Sequence, residues 1–185
     1  MRTTLIMANY DKAFDKTIKH EGGYNDIQGD NGGPTNFGVS LRFLSLLYKD
    51  CGIGDIDGDG DVDKDDIKKL ALPDVKKIYK KSFWEVQKCD LINDDEIAAK
   101  LFDLSVNAGL VQAGKLIQRA CNQYGKALTE DGKLGPKSIL AINQIDPQEL
   151  LIAFRFECVQ FYLGLVEKNP SFSKFIKGWL RRAVS

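Results

Sequence analysis

Two carboxylates in the stretch HEGGYNDIQGDNGGPTNFG, residues 20–38, are placed to do acid chemistry: Glu21 and Asp30. Upstream, Tyr10, Phe14 and Ile18 recur every four positions, which predicts a helical apolar face, and Glu21 continues that face at the helix end. A carboxylate there meets the negative end of the helix dipole and loses hydration. Both effects favour the protonated form and raise the pKa, the tuning that a general acid needs near neutral pH. The alternative is a Glu21 that turns off the stripe into water. Gly22 and Gly23 suit the helix C-terminus, and with Gly29, Gly32 and Gly33 they let backbone pass close to a bound polymer. Tyr24 offers an aromatic face and a hydroxyl suited to a sugar.

A second set of acids has a different chemistry. DIDGDGDVDKDD, Asp55 to Asp66, fits the twelve-residue calcium-loop template in register. Asp55, Asp57 and Asp59 supply positions one, three and five, and Gly60 makes the turn at six. Asp61 offers its carbonyl at seven, Val62 is the apolar eighth residue, and Asp63 acts through water at nine. So many carboxylates in one loop repel unless a cation neutralises them. Asp66 stands at position twelve where Glu is usual, as in dockerin-like loops, and its shorter reach predicts weaker affinity. The expectation is one structural calcium ion and no organic cofactor; the alternative is a solvated acidic insertion without metal.

The elements that must position these residues are mostly helical. After TNFGVS, the one plausible short strand region, helices are predicted over Leu41 to Tyr48, Lys64 to Ala71, and the run PDVKKIYKKSFW, which opens with Pro73. DDEIAAKLFDLSVNAG has an apolar face too wide for a surface helix and predicts a central, buried one. VQAGKLIQRACNQYG, GPKSILAIN, PQELLIAFRFECVQFYLGLVEK and SFSKFIKGWLRRA complete a helical second half. Gly135 and Pro136 are expected at the start of a helix. Tyr79 and Trp84 could stack on sugar, although helical aromatics are more often core. His20, the single histidine, has no triad or metal partner pattern and is expected at a solvent-facing helix end.

Composition excludes several classes. With 43% hydrophobic and 28% charged residues the chain is globular, and 26 basic residues balance 26 acidic ones, which argues against a nucleic-acid binder held by phosphate neutralisation. No apolar run is long enough for stable membrane insertion. The start MRTTLIMANYDKAF does not read as a secretory signal, so cytosolic synthesis is expected. Cys51, Cys89, Cys121 and Cys158 form no CxxC pair and are expected to be small buried hydrophobes, Cys51 being the least secure.

HEGGYNDIQGDNGGPTNFGVS resembles the signature of glycoside hydrolase family 108, the phage- and prophage-type N-acetylmuramidases. IYKKSFWEVQKCDLI is similar to the end of that family's catalytic region. LFDLSVNAGLVQAGKLIQRACN and DGKLGPKSILAI resemble the peptidoglycan-associated region that follows it. The resemblance implies a predominantly α, lysozyme-like α+β fold with a short β-hairpin next to the catalytic Glu. It implies cleavage between N-acetylmuramic acid and N-acetylglucosamine, with Glu21 as proton donor to the leaving oxygen. Asp30 is the expected second acid, activating water or stabilising developing positive charge; Asp26 competes with it, and a plain turn aspartate is the alternative. Thr35 is implied as the third member, with Ser40 in reserve. Asn36 and Phe37 stand where the family has Asn-Tyr, so a hydroxyl is lost. Gly22, Gly23, Tyr24 and Asn36 are the expected sugar contacts, joined by Asp103 and Asn107, which either reach the cleft or bind into a polar network.

The expected organisation is a catalytic region over 9–92, including the calcium loop, and a helical peptidoglycan-associated region over 93–185, packed as one unit. The expected partner is bacterial peptidoglycan, and the protein is expected to act as a monomer at the cell wall or in the periplasm after release. A lysin exported through a holin, a prophage remnant and a secretion-system helper fit equally. A lytic transglycosylase, a wall-binding protein without activity and a calcium-dependent adhesion module are the competing functions.

Overall fold

Local capping chemistry sets most helix starts. Asp94 accepts hydrogen bonds from the Glu96 and Ile97 amides and begins α5, Asp95–Ala108. Asp146 does the same for Gln148 and Glu149 at the start of α8, Pro147–Lys168. Gly135 precedes α7, Pro136–Gln144, whose proline occupies the first turn, as the sequence predicts. In the computed structural model, residues 8–18, 23–26 and 33–185 are described. They fall into two compact units: Phe14–Ser82, and Phe83–Ser185 together with the residues up to Ala13.

In the larger unit, α5 is the central helix. Ile97, Ala98, Leu101, Phe102 and Leu104 are buried on it, against α6 (Leu110–Asn122) and α8. The wide apolar face read from DDEIAAKLFDLSVNAG is therefore a buried one. Tyr10 lies edge-on to Trp84 and Phe102, with ring centroids at 5.2 and 5.6 Å. The last helix, α9 (Ile176–Val184), packs on α8, and Trp179 stacks on Tyr162 at 5.3 Å. A close backbone crossing holds α6 to the loop that follows it: a Cβ on Gly114 would lie 2.2 Å from the Gly132 carbonyl oxygen.

The smaller unit carries most of α1 (Tyr10–Ile18), a hairpin, and the helices α2 (Leu41–Cys51), α3 (Lys64–Lys69) and α4 (Leu72–Tyr79). The hairpin pairs β1 (Thr35–Asn36) with β2 (Val39–Ser40) antiparallel, Thr35 opposite Ser40. Its two-residue turn is Phe37–Gly38, both at positive φ (48° and 75°), as tight hairpins of right-handed twist require. The Tyr79 hydroxyl donates to the Phe37 carbonyl at 2.9 Å and holds that strained turn. Val39, Leu44, Ile67, Val75, Ile78 and Tyr79 form the core.

Some boundaries differ from expectation. The helix expected to end at Tyr48 continues to Cys51 and stops at Gly52, in left-handed conformation. The helix expected through Ala71 ends at Lys69, and the single helix expected over PDVKKIYKKSFW divides into α4 and a π-helical turn, Lys80–Trp84. Tyr79 and Trp84 are core residues. Cys89, Cys121 and Cys158 are buried, whereas Cys51 is exposed.

Candidate active-site region

Glu21, Gly22 and Asp30, with His20, lie outside the described residues. What surrounds them in sequence is built as follows. Asn25 and Thr35 exchange two backbone hydrogen bonds, each 2.8 Å, so Asn25 forms an isolated bridge to β1 on the side away from β2. Thr35 thus lies between Asn25 and Ser40 of β2 and is half-buried. Gly23 is exposed, and Tyr24 is 45% exposed beside this pairing, available to a ligand face.

The competing residues are distinguished by their partners. Ser40 is the N-cap of α2 and accepts from the Phe43 amide at 3.2 Å, a structural task. Asp26 forms an exposed ion pair with Lys64 at 3.5 Å. Asn36, expected at the sugar, faces inward: it is buried, and its side-chain amide donates to the carbonyls of Ile67 (3.0 Å) and Leu70 (3.4 Å). In this position Asn36 ties β1 to α3. Its neighbour alternates to the other side, as strand geometry requires.

The acidic loop is compact. Carboxylate oxygens of Asp55, Asp57 and Asp59 lie within 4.8 Å of one another, and those of Asp61, Asp63 and Asp66 form a second such triad, so the acids gather in two groups. Asp66 is buried and accepts from the amides of Ile56 (2.6 Å), Asp57 (3.3 Å) and Asp63 (2.8 Å). Asp63 caps α3 in return by accepting from the Asp65 amide. Lys69 reaches back to Asp57 Oδ2 at 2.6 Å, a pairing without any local sequence signal. That hydrogen bond holds the Asp57 carboxyl below its ordinary pKa and raises the Lys69 ammonium. Asp61 has the opposite problem: Asp59 first, then burial and the other loop acids push its pKa up.

In the larger unit, Asp103 is part of a network. Arg182 forks onto both its carboxylate oxygens at 2.9–3.1 Å, the side chains being 12% and 14% exposed. Asn107 is exposed and accepts from the Tyr162 hydroxyl at 2.6 Å. Gln118, which sequence reading does not single out, is buried and organises the DGKLG turn. It accepts from the Gly132 amide (2.8 Å) and donates to Asp131 Oδ1 (2.9 Å) and the Lys133 carbonyl (3.1 Å). Next to this turn lies an open groove of about 330 Å³ that Leu128, Thr129, Asp131, Lys133, Pro136 and Lys137 help to line.

A small hairpin set among helices makes this a lysozyme-like α+β protein, predominantly α. The sequence model described as Glycosyl hydrolase 108 matches residues 14–109, and one described as Predicted Peptidoglycan domain matches residues 112–184. The chain belongs to the glycosyl hydrolase 108 family: it is a glycoside-hydrolase-type protein with peptidoglycan as its substrate polymer. The solved structure of Brucella abortus SagA is similar to it, with 23% identity and a TM-score of 0.70 over 94% of this chain and 88% of that one, a likeness of fold. No curated protein matches. Among the described residues no helix is long and apolar enough to cross a membrane.

Proposed function

We propose that this protein is an N-acetylmuramidase that cleaves the bond from N-acetylmuramic acid to N-acetylglucosamine in the bacterial cell wall. Glu21 in its acid form gives its proton to the leaving glycosidic oxygen. Asp30 activates the incoming water or balances the positive charge developing on the sugar ring, and Thr35 holds that water or the sugar. Tyr24 supplies a stacking face for a sugar ring.

The observation that carries this reading lies inside the segment matched by the family. Thr35 is fixed by reciprocal backbone pairing to Asn25, the residue that directly follows the EGGY motif in the chain, on the edge of the hairpin away from β2. Ser40, by contrast, is spent on the cap of α2. That favours Thr35 as the hydroxyl of the site.

The test is digestion of purified peptidoglycan followed by mass analysis of the fragments. Glu21→Gln is expected to abolish turbidity clearance while circular dichroism stays that of the parent. Products bearing a free reducing N-acetylmuramic acid support hydrolysis. Anhydro sugars would instead make the protein a lytic transglycosylase, and parent-level clearance by Glu21→Gln would remove Glu21 from the mechanism.

A further inference from the structure

We propose that the Asp55–Asp66 loop binds one calcium ion through the carboxylates of Asp55, Asp57 and Asp59, in competition with Lys69. We infer further that α3 carries the effect of binding to the hairpin through Asn36. The proposal does not depend on which glycosidic bond is cut.

The decisive atom is Asp57 Oδ1. The Asp57 side chain is only 10% exposed, its Oδ2 is taken by Lys69, and Oδ1 is buried with no hydrogen-bond partner. A buried carboxylate oxygen without a donor is costly, and native proteins resolve such atoms with a donor, water or ion. This one belongs to a carboxylate grouped with those of Asp55 and Asp59, at template positions one, three and five. Three like charges at this spacing call for a cation of more than one charge. Oxygen-only ligands supplied by a loop suit calcium better than magnesium, which demands a rigid octahedron and keeps its own waters. Gly60, at φ 100°, makes the sixth-position turn of the template.

The neighbouring contacts say where binding would be felt. Lys69 Nζ is a single positive charge already on Asp57, so a calcium ion must outcompete it. Asp66 acts as a positioning residue: its two oxygens pin the loop amides of Ile56, Asp57 and Asp63 to the first turn of α3. Asn36 then connects the carbonyls of Ile67 and Leu70 to β1, one residue from Thr35. An ordered loop therefore holds an ordered α3, and α3 holds the hairpin.

The experiment is calorimetric titration of the full, chelator-treated chain with calcium chloride, with amide hydrogen exchange of the same samples. One binding site is expected in the parent. Asp59→Asn, at an exposed position where the amide oxygen can still accept from Asp61, should weaken binding about tenfold by removing one ligand charge. Lys69→Met should tighten binding several-fold by releasing Asp57. Calcium should slow exchange in 64–70 and 35–40, and Asn36→Ala should remove the slowing at the hairpin while binding persists. No binding heat at millimolar calcium, or parent-like affinity in Asp59→Asn, overturns the site. Unchanged affinity in Lys69→Met overturns the competition, and unchanged hairpin exchange on calcium addition overturns the coupling.

Discussion

Replacing Gly114 by alanine isolates one packing feature of the larger unit, the crossing of α6 over the turn at Gly132. The added Cβ would stand 2.2 Å from the Gly132 carbonyl oxygen, 2.7 Å from its carbon and 2.8 Å from its Cα. Ordinary contact lies about 1 Å farther out, so the turn must move by roughly that distance, since a packed interior has little slack. The turn is held by Gln118 through hydrogen bonds of 2.8, 2.9 and 3.1 Å, all of which such a shift would break or badly stretch. At about 1 kcal/mol for each, the loss is about 3 kcal/mol. Alanine in a helix regains about 1 kcal/mol over glycine. The net expectation is about 2 kcal/mol of destabilisation, or a fall in Tm of about 4–8 °C for a chain of this size. Thermal and urea denaturation followed by circular dichroism measure it. Gly164→Ala is the internal control: it makes the same chemical change on α8, where nothing lies within 4 Å of the new Cβ, and should leave Tm unchanged or raise it. If Gly114→Ala melts at or above the parent temperature, the crossing is not the constraint its geometry indicates.

Thiol reactivity offers a second check. Burial pushes the Cys121 and Cys158 thiols up to about 12 and raises Cys89 as well, whereas Cys51 is exposed. Ellman's reagent at pH 8 should therefore titrate one of the four thiols in the native protein and all four in guanidinium; two fast native thiols would contradict the burial. Acid stability offers a third. The hydrogen bond from Gln118, and then the Lys133 amide, hold Asp131 below its ordinary pKa. Its contribution to stability is complete above the unfolded value of about 3.9 and is lost as pH falls through the lower folded value. Asp131→Asn should therefore lower the urea midpoint at pH 7, with the gap to the parent closing as pH drops through that window. A gap that widens in acid would refute the sign.

Much of this molecule is legible in one dimension, because the interactions involved span only a few residues. Caps at Asp94, Asp146 and Gly135–Pro136 act within three or four positions, so α5, α7 and α8 can be read directly from the chain. The wide apolar face of α5 announces its burial in the same way, and the register of the Asp55–Asp66 loop is a spacing of identical residue types. The division of a long helical pattern after Tyr79 is harder to see, since the π-helical turn that follows α4 has the composition of an ordinary helix.

Partner choice belongs to the folded chain. Asn36 has the residue type of a sugar ligand, yet its amide meets the Ile67 and Leu70 carbonyls across more than thirty positions. Asp103 meets Arg182 at a separation of 79, Lys69 finds Asp57, and Gln118 gathers the Gly132 turn. Composition and periodicity specify that a polar group sits on an apolar helix and needs a partner. Which partner satisfies it depends on distances that exist only once the helices have packed, and so does the difference between the Ser40 hydroxyl, occupied by a cap, and that of Thr35, whose backbone is bridged to Asn25.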